Sequence, residues 1–124
     1  MPLDPRAKTF LDALAALGGW PDPRTVSLEE QRRGLELFIK AQAGEPEPLS
    51  SVEDRTVSGP EGQIPIRIYT PECHGPFSIL VYFHGGAFTL GSIITEDPVC
   101  RMLANGAGCM VVSVGYRLAP DGTP

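Results

Sequence analysis

Ile79-Leu80-Val81-Tyr82-Phe83-His84-Gly85-Gly86-Ala87-Phe88 is the stretch that decides the fold of this 124-residue chain. Its first five residues form a continuous apolar run, the pattern of a strand buried on both faces in a parallel sheet; the run reads as a strand over Phe77 to Phe83. The glycines after it let the backbone N–H groups approach a partner closely, because no Cβ stands in the way. Taken alone, a Gly-Gly pair after a strand is also how a simple turn reads. The residues downstream point further. A second apolar run, Cys109 to Val114, leads into Gly115-Tyr116-Arg117-Leu118-Ala119-Pro120-Asp121. Between the two runs a helix is expected from near Thr95-Glu96-Asp97-Pro98, burying Val99, Met102 and Leu103 and ending at Asn105-Gly106. Strand, loop, helix, strand is a βαβ unit, which places the His-Gly-Gly loop at the carboxyl end of a parallel sheet.

Upstream, Glu53 to Ser58 and Ile64 to Tyr69 read as two strands joined by the turn-rich Gly59-Pro60-Glu61-Gly62, pairing antiparallel at a sheet edge. Before them lies the linker Glu45-Pro46-Glu47-Pro48. Asp4-Pro5 supplies an N-cap and a proline at the first helical position. Phe10, Leu11, Leu14 and Leu17 then come at helical spacing until Gly18-Gly19. Ser27-Leu28-Glu29-Glu30 is a capping box that opens a second helix, with Leu28, Leu35, Phe38 and Ile39 on its apolar side and its end near Gly44. The domain reading is residues 1–48 as a helical segment with linker, and residues 49–124 as an α/β core.

Composition fits a globular piece: 42% hydrophobic and 20% charged. The net charge of −5 argues against binding nucleic acid through its phosphates. The basic doublet Arg32-Arg33 sits among Glu29, Glu30 and Glu36 and reads as a solvated helix face. The apolar runs are too short to span a bilayer, and the first residues lack the apolar core of a signal peptide, so a cytoplasmic location is expected. Cys73, Cys100 and Cys109 are an odd count without C-x-x-C spacing, and Cys73-His74 lacks further ligands; no disulfide framework, metal or other cofactor is expected.

The two motifs, His84-Gly85-Gly86-Ala87-Phe88 and Gly115-Tyr116-Arg117-Leu118-Ala119-Pro120-Asp121, stand in a register that resembles the bacterial hormone-sensitive-lipase-like carboxylesterases of the α/β-hydrolase fold. Members carry His-Gly-Gly-Gly/Ala followed by an aromatic residue, then Asp-Tyr-Arg-Leu-Ala-Pro-Glu after the next strand. The resemblance extends back through Ser51-Val52-Glu53-Asp54-Arg55 and Ile64-Pro65-Ile66-Arg67-Ile68-Tyr69. It implies an incomplete α/β-hydrolase fold: N-terminal cap helices, an antiparallel hairpin and one βαβ unit of the central sheet. It also implies a carboxylic ester as the small-molecule substrate of a complete enzyme. The oxyanion hole would be made by Gly85, Gly86 and Ala87 N–H groups. His84, Tyr116 and Arg117 would support that loop, and Trp20, Phe38 and Phe88 would neighbour the acyl pocket. Tyr116 and Arg117 read equally well as ordinary strand-end residues, and the two helices as plain covers for the core.

Two departures bear on the loop: Gly115 stands where the family has an acidic residue, which adds backbone freedom, and Asp121 stands in place of Glu. The family's Gly-Asp-Ser-Ala-Gly-Gly nucleophile elbow, and the acid and base downstream of it, have no counterpart among these residues. Ser113, in Val111-Val112-Ser113-Val114-Gly115, lacks the glycine two positions before it and reads as a strand residue. His84 lies in the wrong motif for a general base. Two readings stay open. In the first, the chain is the N-terminal part of a serine carboxylesterase, supplying the oxyanion loop and inactive alone. In the second, it is a non-catalytic interaction module that pairs through an open sheet edge. Both readings expect the Val111–Val114 strand to end the sheet and promote self-association.

Overall fold

The computed structural model describes residues 2–16, 18–19 and 22–122. Its elements run α1 (Pro5–Ala16), α2 (Leu28–Gln42), β1 (Ser51–Gly59), β2 (Gly62–Thr70), β3 (Ile79–Phe83), α3 (Asp97–Ala107) and β4 (Met110–Val114). The chain divides into two compact units, Met1–Gln31 and Arg32–Pro124. In the first, the Asp4 carboxylate accepts the backbone N–H of Arg6 at 2.8 Å, so the expected cap forms. Leu17, the last of the apolar residues assigned to α1, lies outside the described residues. Ser27 and Glu30 form the reciprocal capping box at the start of α2.

The second unit is built on a four-stranded sheet in the order β1-β2-β4-β3. β1 and β2 are an antiparallel hairpin with Gly59 opposite Gly62, β2 pairs antiparallel with β4, and β3 pairs parallel with β4 through the α3 crossover. This α/β arrangement is the one the two apolar runs imply, with two corrections to the sheet. The Val111–Val114 strand does not end the sheet: β4 is held on both sides, and the edges are β1 and β3. Ile66 to Tyr69 of the hairpin fold back onto β4's free side, so the edge passes to the strand that precedes the loop. Nor is β3 buried on both faces. Leu80 and Tyr82 turn toward α3, while Ile79, Val81 and Phe83 are more than half exposed on the other face.

Alternation on β4 puts Val111 and Ser113 under α3, and Tyr69 of β2 joins them. Tyr69, Cys100, Ala104, Cys109 and Val111 form the core, with Leu49, Val52, Leu80, Tyr82 and Leu103 packed around it. α3 therefore buries Cys100 and Ala104 rather than Val99 and Met102, and Met102 is exposed. Small residues four apart let the helix axis sit close to Tyr69 and Val111, which larger side chains would prevent. The helix also runs past Asn105-Gly106. Its left-handed C-cap is Gly108, whose N–H meets Asn105 O while Cys109 N–H meets Ala104 O. Asn105 and Arg101 instead donate side-chain hydrogen bonds to Pro48 O and Glu47 O, pinning the Pro-rich linker to α3.

Three core groups need their protons in the folded state. Burial, and after it the Asp97 charge, pushes the Tyr69 phenol far up. Burial and Glu96 push Tyr82 up to about 12, and burial pushes the Cys100 thiol up to about 11. The unfolded chain releases these protons from near pH 9 for the thiol and pH 10 for the phenols. Above those values the unfolded state binds fewer protons than the native one, so stability must fall as pH rises. The melting temperature is expected to decline steadily between pH 9 and 12. A flat profile to pH 11 would mean that these groups reach water in the native state.

Candidate functional site

The loop after β3 turns back on itself through three consecutive positive φ angles, +120° at Gly86, +52° at Ala87 and +60° at Phe88. Its shape rests on where its carbonyls go. His84 O accepts the Tyr116 hydroxyl at 2.5 Å. Gly85 O lies 2.8 Å from His84 Nδ1, an arrangement that requires the imidazole proton on Nδ1, since a carbonyl can only accept. Gly86 O accepts Thr89 N–H at 3.0 Å and Leu90 N–H at 2.9 Å. A trans peptide holds its C=O and N–H in opposite directions. Anchoring these three carbonyls therefore sets the directions of the N–H groups of Gly85, Gly86 and Ala87, and none of those three has a hydrogen-bond partner among the described residues.

Two glycines make that possible. A Cβ on Gly86 would stand 2.1 Å from Leu90 O, and one on Gly91 would stand 2.5 Å from Gly85 O and 2.6 Å from His84 Nδ1. The His84 ring, 4% exposed, is thus clamped between Gly91 and Tyr116, on which it stacks with centroids 4.3 Å apart. Its Nδ1 is engaged with Gly85 O.

Of the residues singled out from sequence, the structure brings His84, Gly85, Gly86, Ala87, Phe88 and Tyr116 together. Phe88 is exposed, its ring edge-on to Tyr116 at 6.3 Å. Arg117 goes elsewhere. Its guanidinium pairs with the carboxylate of Glu61 and donates to Glu61 O, on the β1–β2 turn. Phe38 is half-buried on α2. Trp20 lies outside the described residues. Ser113 is a fully buried residue of β4 whose hydroxyl has no hydrogen-bond partner among the described residues. It lies close enough to the Cys100 thiol to oppose the burial that raises it, a contact short of a formed hydrogen bond. Gly115 brings no looseness. Its N–H bonds Pro65 O at 2.9 Å, and a Cβ there would already meet Pro65 and Ile93 at 3.0–3.2 Å.

Two grooves flank this region. One, of about 440 Å³, is lined by Ile64, Phe83, Val114, Tyr116 and the β1–β2 turn. The other, of about 330 Å³, runs past His84, Ser92, Ile93 and Leu118. Neither is lined by Phe38 or Phe88.

Residues 80–123 match the α/β hydrolase fold family. An arylesterase of Saccharolobus solfataricus is 36% identical over 121 residues, which is 98% of this chain and 39% of that protein. This chain is an N-terminal part of the hormone-sensitive-lipase-like esterase family. The family likeness holds in three dimensions. A hyperthermophilic esterase from the archaeon Pyrobaculum calidifontis superposes with a TM-score of 0.84 at 40% identity, covering 99% of this chain and 39% of that one. An ester hydrolase from the Lake Arreo metagenome gives 0.85 at 35%, covering 96% and 39%. The chain spans about two-fifths of the length of the esterases it matches.

Sequence reasoning missed Arg32 and Glu36. Arg32 is no solvated residue: its side chain is 28% exposed, and it donates to Thr89 O and Ala119 O, both at 2.8 Å. Glu36 accepts the Ser92 hydroxyl at 2.7 Å. Their partners stand more than fifty residues away in sequence. Only the spacing of the two residues, one helical turn apart on the same side of α2, could have hinted at a shared contact.

Proposed function

We propose that the His84–Phe88 loop is the oxyanion-binding element of a carboxylic ester hydrolase, with the Gly85 and Gly86 N–H groups, joined by Ala87, as its donors. The observation that carries this reading is the anchoring of the His84, Gly85 and Gly86 carbonyls, which leaves three directed N–H groups unspent. Such preorganised donors stabilise charge that develops on a carbonyl oxygen as it becomes tetrahedral, without reorganising at the moment of reaction. His84 holds the loop and transfers no proton, and Tyr116 braces it. Residues 1–48 contribute cap helices and residues 49–124 part of the core. The 124 residues hold no Gly-x-Ser-x-Gly nucleophile, so by themselves they are inactive on esters.

The test is hydrolysis of p-nitrophenyl acetate by the 124 residues alone and by the gene product read past the codon for Pro124. No turnover is expected from the former. Turnover is expected from the latter if it carries a Gly-x-Ser-x-Gly serine, and Tyr116→Phe should then lower kcat about tenfold with little change in KM, as loss of one brace to the donors implies. Sustained turnover by the 124 residues that a serine-directed inhibitor abolishes would refute the assignment of roles. So would a gene product that carries the serine elbow yet leaves every ester intact.

One observation favours a second reading, a non-catalytic module that pairs through its sheet: β3 is an edge with Ile79, Val81 and Phe83 exposed. A concentration-independent monomer in sedimentation would remove it.

A further inference from the structure

The Gly85–Ala87 donors are directed by the anchored carbonyls of His84, Gly85 and Gly86, but the loop's outgoing arm has no strand or helix to hold it until α3 begins at Asp97. What holds it is a pair of side chains from α2, Arg32 at Thr89 and Glu36 at Ser92, and the arginine is the one that reaches the turn itself. Arg32 Nε donates to Thr89 O at 2.8 Å, its second nitrogen donates to Ala119 O at 2.8 Å, and the guanidinium lies 3.5 Å from the Asp121 carboxylate. Thr89 is the residue whose N–H bonds Gly86 O, and Ala119 N–H bonds Phe88 O at 2.8 Å. The arginine therefore ties together the two segments that the loop must keep in register. One turn further along α2, Glu36 accepts from Ser92, whose hydroxyl in turn accepts the N–H groups of Ile94 and Thr95. A planar guanidinium with five donors can bridge two carbonyls in this way, and an ammonium cannot do so with the same geometry.

We propose that Arg32 is a positioning residue for the oxyanion loop: α2 sets the conformation of the Gly86–Thr89 turn through this one side chain. For its meaning this rests on the ester-hydrolase reading above, but its test does not.

Amide hydrogen exchange of Thr89 and Leu90 is to be measured in the purified protein and in Arg32→Met, Arg32→Lys and Arg33→Met, together with the amide resonances of Gly86 and Ala87. Arg32→Met keeps much of the apolar stem and removes every donor; it should raise exchange at Thr89 and Leu90 about tenfold, the order expected for net loss of hydrogen bonds from a charged donor, and shift both resonances. Arg32→Lys should restore part of the protection. Arg33→Met removes the same charge from an exposed neighbour and should change neither. Equal exchange in Arg32→Met and Arg33→Met overturns the proposal. If Arg32→Met fails to fold, Arg32→Lys decides, since wild-type exchange there overturns it equally. Failure to hydrolyse esters refutes the oxyanion reading while leaving the exchange result standing, so the two are separable.

Discussion

Gly86→Ala should disable the loop, and Gly85→Ala beside it should be nearly silent. At Gly86 the backbone sits at φ +120°, where an L side chain is strained, and the new Cβ would lie 2.1 Å from Leu90 O and 2.5 Å from its carbonyl carbon. Those are backbone atoms and cannot swing aside. The backbone region costs roughly 1–3 kcal/mol. Overpacking adds roughly 1–3 kcal/mol more. Relief requires Leu90 to move, which breaks its hydrogen bond to Gly86 O and frees the carbonyl that orients the Ala87 N–H. A Cβ on Gly85 meets nothing within 4 Å and faces no unusual φ. Denaturant unfolding should therefore show a loss of about 3 kcal/mol for Gly86→Ala and under about 1 kcal/mol for Gly85→Ala. On the proposed function, the first variant should also lose about a hundredfold in kcat within an active esterase, the scale of losing an oxyanion donor. Equal losses for the two would mean that the turn is not built as described. Gly91→Ala strikes the same loop from outside, through Gly85 O and His84 Nδ1.

The sequence is legible where local chemistry decides. The capping residues Asp4 and Ser27, the hairpin register around Gly59–Gly62 and the strand–loop–helix–strand order all arise from short-range patterns, and all form. Which strand lies at the edge does not. An unbroken apolar run indicates a strand that can be buried on both faces, and the β1–β2 hairpin could join either flank of the pair. The choice is made by Ile66–Tyr69 bonding to β4, and the consequence, an exposed Ile79-Val81-Phe83 row on β3, is invisible in that strand's own letters. The end of α3 differs from its expected place for a smaller reason. Gly106 resembles a stop, but the left-handed turn falls at the next glycine, Gly108, at φ +58°, where the closing N–H groups of Gly108 and Cys109 reach Asn105 O and Ala104 O.

At the site the division is the same. His84-Gly85-Gly86 is written in one place and could be read there; Arg32, Glu36 and Ser92 are scattered along the chain and could not. Arg117 illustrates the converse. It adjoins Tyr116 in the motif, yet alternation along an extended chain sends neighbouring side chains to opposite sides. Tyr116 accordingly faces His84, while Arg117 reaches Glu61.

Asp97→Ala should be the most damaging change away from the loop. Asp97 is the first residue of α3, where a carboxylate also suits the helix dipole. One of its oxygens accepts the Tyr69 hydroxyl at 3.0 Å and Arg67 at 3.2 Å, and the other accepts Arg101 Nε at 2.7 Å. Tyr69 is fully buried, so removing the acceptor leaves its phenol unsatisfied in the core. Both arginines keep a second acceptor: Arg67 holds Asp54 at 2.6 and 2.8 Å, and Arg101 holds Glu47 O at 3.0 Å. Breaking a fully buried charged pair costs roughly 3–5 kcal/mol; Asp97 and its two arginines are about a fifth exposed and keep these surviving contacts, so the expected loss does not exceed the lower end, about 3 kcal/mol. Tyr69→Phe should cost about 1 kcal/mol. Combined with Asp97→Ala it should add less than its own value, because the orphaned hydroxyl is then gone. Urea midpoints for the two single variants and the double variant measure this coupling. Strict additivity would show that water reaches the cluster and that the crossover from β3 through α3 to β4 is held by the apolar core alone.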